Sequence, residues 1–409
     1  MHIVMADGNM KNLCNDMVIN IRLRIALKSL TIQMHFQILY DLIQSSVFIN
    51  LHSNRTIIKD ELILLKRSIK VAPREYKNVL SFLSSHDDNI NDIKPAYPDL
   101  YIPRLTSRYG HLCYETVGPC NGLIALTDFD AIVLFNPATR NYRALPPSPF
   151  TCRARFHRSM NGGLGFGYVW IANDYKFVKI SEIFGDPPQW HPNEDRENTV
   201  EIYDLNIGSW GVFNYDCEEF PNIHWFPCFE IVYKGAYHWC AYAETKIILC
   251  FDTTSEIFRA IKMPHTCHSY DAKRYSLVVL NESLTLICYA DLTDIWMMKE
   301  YGVYESWIKK YTIKPLYIEA PLVLLKDHLL LLQSTSGLVM SNDLTSDKLE
   351  EVNLFSSAHS FRMIIYKECL TPVPKVEETV EHNSMIRGEI MYQFWVTRTR
   401  GHPTKFNIL

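Results

Sequence analysis

The sequence predicts a mostly β protein, a kelch-like β-propeller of about six blades preceded by a small α-helical segment. Three observations lead there. One turn motif recurs along the chain, each copy follows a second pair of alternating apolar runs, and helical spacing of apolar residues marks residues 9–50 as different in kind.

The turn motif is clearest in "VLFNPATRNYRALPPSP" (Val133–Pro149). Aligned on its polar residue, Asn136 is followed six positions later by Tyr142, Asp204 by Trp210, Asp252 by Phe258 and Asp343 by Leu349. An aromatic precedes the polar residue in three copies (Phe135, Tyr203, Phe251), and Asn342 breaks the pattern in the last. A looser copy, "IWMMKEYGVYESWIKKY", ends its longer turn on Trp307. The physics is that of a hairpin: an apolar residue ends one strand, a short polar side chain caps the turn, and a large apolar residue starts the return strand. A lone hairpin cannot bury its own faces, so repetition makes the core.

Before each copy lies another apolar pair: "GLIALT", "GFGYVWIANDYKFVKI", "IVYKGAYHWCA", "SLVVLNESLTLICYA" and "LVLLKDHLLLLQ". The last reads as two buried strands joined by a tight turn at Lys326 and Asp327. Four short strands per unit are the content of a propeller blade. These units occupy about residues 111–354, and a sixth blade can be assembled from both ends, "ELILLKRSI" and "NVLSFL" with "SFRMIIYKE", to close the ring. The competing fold is a β-sandwich with coincidental turns.

In the N-terminal segment, Val18, Ile21 and Ile25 form one helical row and Leu23, Leu27 and Leu30 a second, with Asp16 as N-cap. The expected organisation is residues 9–50 helical, 60–375 the propeller, and 376–409 a disordered tail.

The chain has 409 residues, 47% hydrophobic and 21% charged, the balance of a globular protein with a sizeable core. A net charge of −4 argues against a nucleic-acid clamp and for a basic partner. Eleven scattered cysteines without a CxxC pair fit reduced thiols of a cytoplasmic or nuclear protein. No secretory h-region opens the chain and no run spans a bilayer, so no membrane partner is expected. No metal, cofactor or catalytic residue is expected either. "NGGLGFGY" (Asn161–Tyr168) precedes strand pattern rather than a helix, which leaves no phosphate-cradling N-terminus. His265, Cys267 and His268 in "PHTCHSY" lack a second cluster to complete a tetrahedral set.

The stretches "MADGNMKNL", "LIQSSVFINLHSNRT", "GPCNGLIALTD", "LFNPATRNYRALPPSPF", "ANDYKFVKISE", "KGAYHW", "LCFDTTSEIFRAIKMP" and "MKEYGVYESW" resemble, in order, those of plant F-box proteins. The similarity is closest in kind to the S-locus F-box proteins of self-incompatibility and runs from Met5 to about Lys375. It implies an F-box at residues 9–50 that docks on a Skp-type adaptor of a cullin ubiquitin ligase, with Leu13, Asp16, Ile21, Leu23, Leu27 and Leu30 as contacts. It also implies a non-enzymatic F-box-associated domain that recruits a protein target, here a basic pistil ribonuclease. The chain departs from the family's Leu-Pro-x-Asp at Leu13–Asp16, lacks a proline within Arg24–Leu30, carries Arg22 at an apolar position, and replaces the usual stretch at Thr31–Asp41 with one that is one residue short. A one-residue slip rotates later helical side chains by about 100°. A decayed paralogue that binds a target without delivering it is therefore a second reading. A propeller hydrolase or oxidase at the central channel is a third, and would show convergent titratable groups at the channel mouth.

Acidic, irregular stretches are the expected target contacts: Asp87 and Asp88; Asp186, Trp190, Glu194 and Asp195; and Asp216, Glu218 and Glu219. The acids would steer a basic target, and Trp190 would anchor it.

Overall fold

A computed structural model describes residues 61–72, 75–85, 93–102, 115–128, 131–152, 156–158, 162–169, 171–185, 196–213, 220–223, 226, 230–265, 274–289, 292–313, 318–355 and 362–373. The helical reading of residues 9–50 and the disordered tail lie outside the described residues.

The described chain forms six antiparallel sheets. The first four strands are β1 (Glu61–Ala72), β2 (Glu75–Ser85), β3 (Ile93–Pro95) and β4 (Leu100–Tyr101). Blade 1 follows with β5 (Glu115–Cys120), β6 (Leu123–Asp128), β7 (Ala131–Asn136) and β8 (Asn141–Ala144). Blade 2 holds β9 (Phe156–Arg158), β10 (Gly163–Val169), β11 (Asp174–Gly185), β12 (Arg196–Asp204) and β13 (Ser209–Phe213). Blade 3 holds β14 (Ile231–Tyr233), β15 (Ala236–Tyr242), β16 (Lys246–Asp252) and β17 (Ile257–Lys262). Blade 4 holds β18 (Arg274–Leu280), β19 (Ser283–Tyr289), β20 (Thr293–Met298) and β21 (Trp307–Ile313). Blade 5 holds β22 (Ile318–Leu325), β23 (Leu329–Ser334), β24 (Leu338–Asp343) and β25 (Lys348–Phe355), and β26 (Arg362–Lys367) ends the series.

β26 pairs with β1, from Glu61 opposite Lys367 to Lys66 opposite Arg362, and so becomes the innermost strand of a blade built from both ends of the domain. Innermost strands meet around the axis: β5 on β10, β14 on β18, β18 on β22, β22 on β26 and β26 on β5. The ring is a six-bladed propeller, with the composite blade as the sequence foresees.

Strand alternation places apolar side chains on both faces of each blade, and the seams between blades bury them. One seam gathers Phe82 and Tyr366 with Phe135; the next, Phe166, Phe177 and Tyr203; the third, Tyr237, Trp239 and Phe251. The remaining three gather Tyr275 and Trp307, then Leu280 and Leu330, then Leu65 and Leu331. The core is six seams rather than one centre.

The recurring motif is the turn between the third and fourth strands of a blade. Phe135 pairs with Tyr142, Tyr203 with Trp210, Phe251 with Phe258 and Asn342 with Leu349, so the residue before the cap always faces the residue six beyond it. Asn136 Oδ1 accepts from the N–H groups of Ala138 (2.9 Å) and Thr139 (3.2 Å), and Asp252 Oδ1 from those of Thr254 (2.9 Å) and Ser255 (3.0 Å). Four residues after each polar cap the chain turns left-handed, at Arg140 (φ 63°), Gly208 (φ 73°), Glu256 (φ 55°) and Asp347 (φ 54°). Each N–H there donates back to the carbonyl of the capping residue at 2.8–2.9 Å. The looser fifth copy pairs Met298 with Trp307 across a 3₁₀ turn at Tyr304–Ser306.

At the same end of the blades, the first two strands turn through left-handed pairs such as Lys326 (φ 50°) and Asp327 (φ 57°). The positive-φ pair Asn121 (φ 49°) and Gly122 (φ 76°) has a second constraint. A Cβ on Gly122 would come within 2.4 Å of Cys369 Cβ, because the chain leaving β26 crosses over this turn. Asn136 Nδ2 donates to the carbonyls of Cys369 (3.0 Å) and Thr371 (2.7 Å), which ties the departing chain to blade 1.

The backbone N–H donors hold the Asp252 carboxyl below its usual range. Asp252→Ala should lower stability by about 1 kcal/mol at pH 7, read by denaturant unfolding. A depressed carboxylate stabilises above its unfolded pKa and loses that contribution as pH falls, so the gap between wild type and variant should narrow below about pH 4.

Candidate binding face

In a ring whose innermost strands all run the same way, their first residues meet at one mouth of the channel. Glu115 opens β5, Arg274 opens β18, Arg362 opens β26, Glu230 directly precedes β14, and Glu319 is the second residue of β22. Three of the six innermost strands thus begin with a charge, and two more carry one beside their first residue.

The pairing is specific. Arg362 Nη2 donates to Glu230 Oε1 at 2.8 Å, and the Gly118 N–H donates to the same oxygen at 2.9 Å, so one carboxylate joins the composite blade, blade 1 and blade 3. Both side chains are almost fully buried, at 6% and 4% exposure. Arg274 Nη1 donates to Glu319 Oε1 at 2.9 Å, between blades 4 and 5. Burial pushes the Glu115 carboxyl up, opposed by Arg362 and Lys66 and reinforced by Glu230. Burial also raises Glu230, against Arg362 and the Gly118 N–H.

This is the kind of convergent titratable cluster that the enzyme reading calls for, and within it Arg362 and Glu230 form a clasp. Two of the three acids are paired with arginines, and the shared oxygen of Glu230 is occupied by two donors. A general acid or base needs an oxygen presented to substrate. His238, buried in blade 3, is no better placed. Burial drives its pKa down to about 4, and Nε2 accepts from the Tyr301 hydroxyl at 2.7 Å while Nδ1 lies 3.2 Å from the Ala236 carbonyl.

The glycines of "NGGLGFGY" are explained by packing. Three of the four lie in β10, where a Cβ on Gly165 would meet the Tyr237 ring at 2.9 Å, one on Gly167 the Tyr237 hydroxyl at 2.8 Å, and one on Gly163 the Phe226 ring at 2.9 Å. Trp239 Nε1 donates to the Leu164 carbonyl at 2.8 Å. Their absent side chains let the aromatics of blade 3 lie directly on the innermost strand of blade 2.

All the expected contact residues fall outside the described residues: Leu13, Asp16, Ile21, Leu23, Leu27 and Leu30, and Asp87, Asp88, Asp186, Trp190, Glu194, Asp195, Asp216, Glu218 and Glu219. Their flanks are described and are more regular than the sequence suggests. Ser84 and Ser85 belong to β2, Phe184 and Gly185 to β11, Arg196–Asn198 to β12, and Phe220 is buried against Phe258. Strand connectivity assigns the stretches to faces. The β11–β12 and β13–β14 connections leave from the end of the blades where the innermost strands begin, whereas β2–β3 leaves from the opposite end. Among the described residues no group of His, Cys, Asp and Glu could hold a metal ion, and no helix is long and apolar enough to cross a membrane. Cys267 and His268 lie outside them.

Six antiparallel sheets closed into a ring, with charged residues gathered at one mouth, define the class: a β-propeller. Residues 78–374 match the family model described as the F-box associated beta propeller domain, and the chain belongs to that family. It is similar to the F-box protein CPR1 of Arabidopsis thaliana, 26% identical over 352 residues, covering 79% of each chain. The Arabidopsis F-box protein At3g07870 is 28% identical over 222 residues, 49% of this chain and 51% of its own. The Arabidopsis F-box/kelch-repeat protein At3g23880 is 24% identical over 258 residues, 56% of this chain and 61% of its own. The chain thus spans only about half to three-fifths of the last two relatives.

Removing one member of the axial pair leaves a buried charge without its counter-ion. Arg362→Met should cost about 3–5 kcal/mol in urea unfolding, whereas Arg274→Met, at the more exposed pair, should cost about 1 kcal/mol or less.

Proposed function

We propose that this protein is the substrate-recognition subunit of a Skp–cullin–F-box type ubiquitin ligase. Residues 9–50 bind a Skp-type adaptor through Leu13, Asp16, Ile21, Leu23, Leu27 and Leu30, and the propeller holds a protein target. The observation that carries this reading is membership of the F-box associated propeller family, together with Arabidopsis relatives named as F-box proteins. The protein performs no chemistry of its own; it raises the target's effective concentration at the ligase.

The topology supports a division of labour between the two faces. Glu61 stands opposite Lys367, the last residue of β26, so the N-terminal segment joins the ring at the end away from the charged mouth. The mouth end, with the β11–β12 and β13–β14 connections, is left for the target. The target we favour is a basic ribonuclease of the self-incompatibility type, on the resemblance in the sequence and the net charge of −4.

Co-precipitation of the full chain with a plant Skp-type adaptor tests the ligase half; absence of binding at micromolar concentration would refute it. The departures at Arg22, Leu13–Asp16 and Thr31–Asp41 favour a second reading, in which the propeller binds its partner uncoupled from a ligase. Exchanging residues 9–50 for an intact family F-box separates the two. Gain of adaptor binding and target ubiquitination in the chimaera alone supports decay, and equal activity in both removes it.

Target kinetics test the contact face. Neutralising Glu194 and Asp195 should slow association and flatten its salt dependence, costing about 1 kcal/mol or less. Trp190→Ala should raise the dissociation rate, by about 2 kcal/mol. Unchanged kinetics in both variants would place recognition elsewhere on the ring.

A further inference from the structure

Among the described residues each blade ends in an outer strand with a neighbour on one side only, and proteins guard such edges with charge, proline or brevity. Five of the six outer edges follow that rule. β8 carries Arg143, β17 carries Arg259 and Lys262, β21 carries Lys309 and Lys310, and β25 carries Lys348, Glu350 and Glu351. The composite blade ends in the short β3, with Lys94 and Pro95, and the two-residue β4.

β13 breaks the rule. Its sequence, Ser209-Trp210-Gly211-Val212-Phe213, has no charge and no proline, and all five residues pair in unbroken register with β12. Val212 is 55% exposed, and a Cβ on Gly211 would meet nothing nearer than the Ile202 carbonyl at 4.0 Å. Among the described residues the edge has no strand beyond it, and it carries no charge.

The chain's own path indicates what covers it. After β26 it passes over blade 1, held by Asn136, and its last described residue, Val373, is buried in the seam between blades 1 and 2. Trp210 of β13 packs against that same seam. Beyond it, residues 374–389 form a polar stretch with Glu377, Glu378 and Glu381, and then comes Ile390-Met391-Tyr392-Gln393-Phe394-Trp395-Val396-Thr397. That run is uncharged and rich in aromatic and β-branched residues, the composition of a strand. The intervening residues reach up to ~50 Å when extended, and tethering makes the pairing intramolecular.

We propose that residues 390–397 add to β13 as a further outer strand of blade 2. Backbone hydrogen bonds supply the register, and Arg398 and Arg400, directly after the run, give the new edge the positive guard that β13 lacks.

Hydrogen–deuterium exchange on the full chain tests this. Peptides covering residues 209–213 and 390–397 should both exchange at least about tenfold more slowly than an unstructured chain, independently of protein concentration. Trp395→Pro, outside the propeller core, should release both regions while β16 stays protected. Val212→Lys, which guards the edge directly, should release residues 390–397. Exchange of residues 390–397 at the unstructured rate in the wild type overturns the proposal. So does protection of residues 209–213 that survives Trp395→Pro, which would mean another occupant. Protection that grows with concentration alongside dimer formation in sedimentation would assign the edge to a second copy and overturn it as well.

Discussion

The architecture depends on one pairing, β26 with β1. A propeller has no central core, only seams, and a seam needs a blade on each side. Without β26 the composite blade lacks its innermost strand, and Tyr366, Met363 and Arg362 leave two seams and the axis together. The cross-axis link from Arg362 to Glu230, the bonds from Asn136 to the carbonyls of Cys369 and Thr371, and the close approach at Gly122 all act on this one element. The closing strand is thus held at its start, along its length and at its exit.

The charges at the axis differ from the charges expected of a contact surface. Glu230 and Arg362 are buried, and desolvation sets a cost that their mutual attraction must offset. Such pairs contribute specificity of assembly more than net stability, and here the pair joins blades that are far apart in the chain. Steering charges, by contrast, act best at exposed rims where they cost little to solvate. The mouth therefore reads as a fixed platform.

Much of this fold is legible in the sequence because the signal is local. The pairing of Phe135 with Tyr142 is written within eight residues, as is the turn at Lys326 and Asp327. The composite blade is legible for another reason: the strand patterns at residues 61–85 and 362–367 have no partner nearby, and a ring gives them one. The axial clasp is not legible, since Glu230 and Arg362 are each an ordinary charge until closure places them together. Nor is the role of Gly163, Gly165 and Gly167, which depends on aromatics seventy residues away in an adjoining blade. The acidic stretches Ser84–Asp92 and Phe184–Asn198 begin or end inside strands, because pairing extends through polar residues such as Glu197 and Asn198 once β11 supplies partners.

The composite blade also sets an order of events during synthesis. Among the described strands β1 leaves the ribosome first, yet its innermost neighbour, β26, leaves last. Until then β1 and β2 have no inner partner, and their apolar faces wait while five blades form behind them. The nascent chain can stack those blades one by one, but the circle stays open until translation has passed Lys367. A ribosome stalled or a message truncated before that codon would release a split ring, with Leu62, Leu64 and Phe82 bare on one side and the apolar face of blade 5 on the other. Quality-control machinery that senses exposed apolar surface would then remove the incomplete chains.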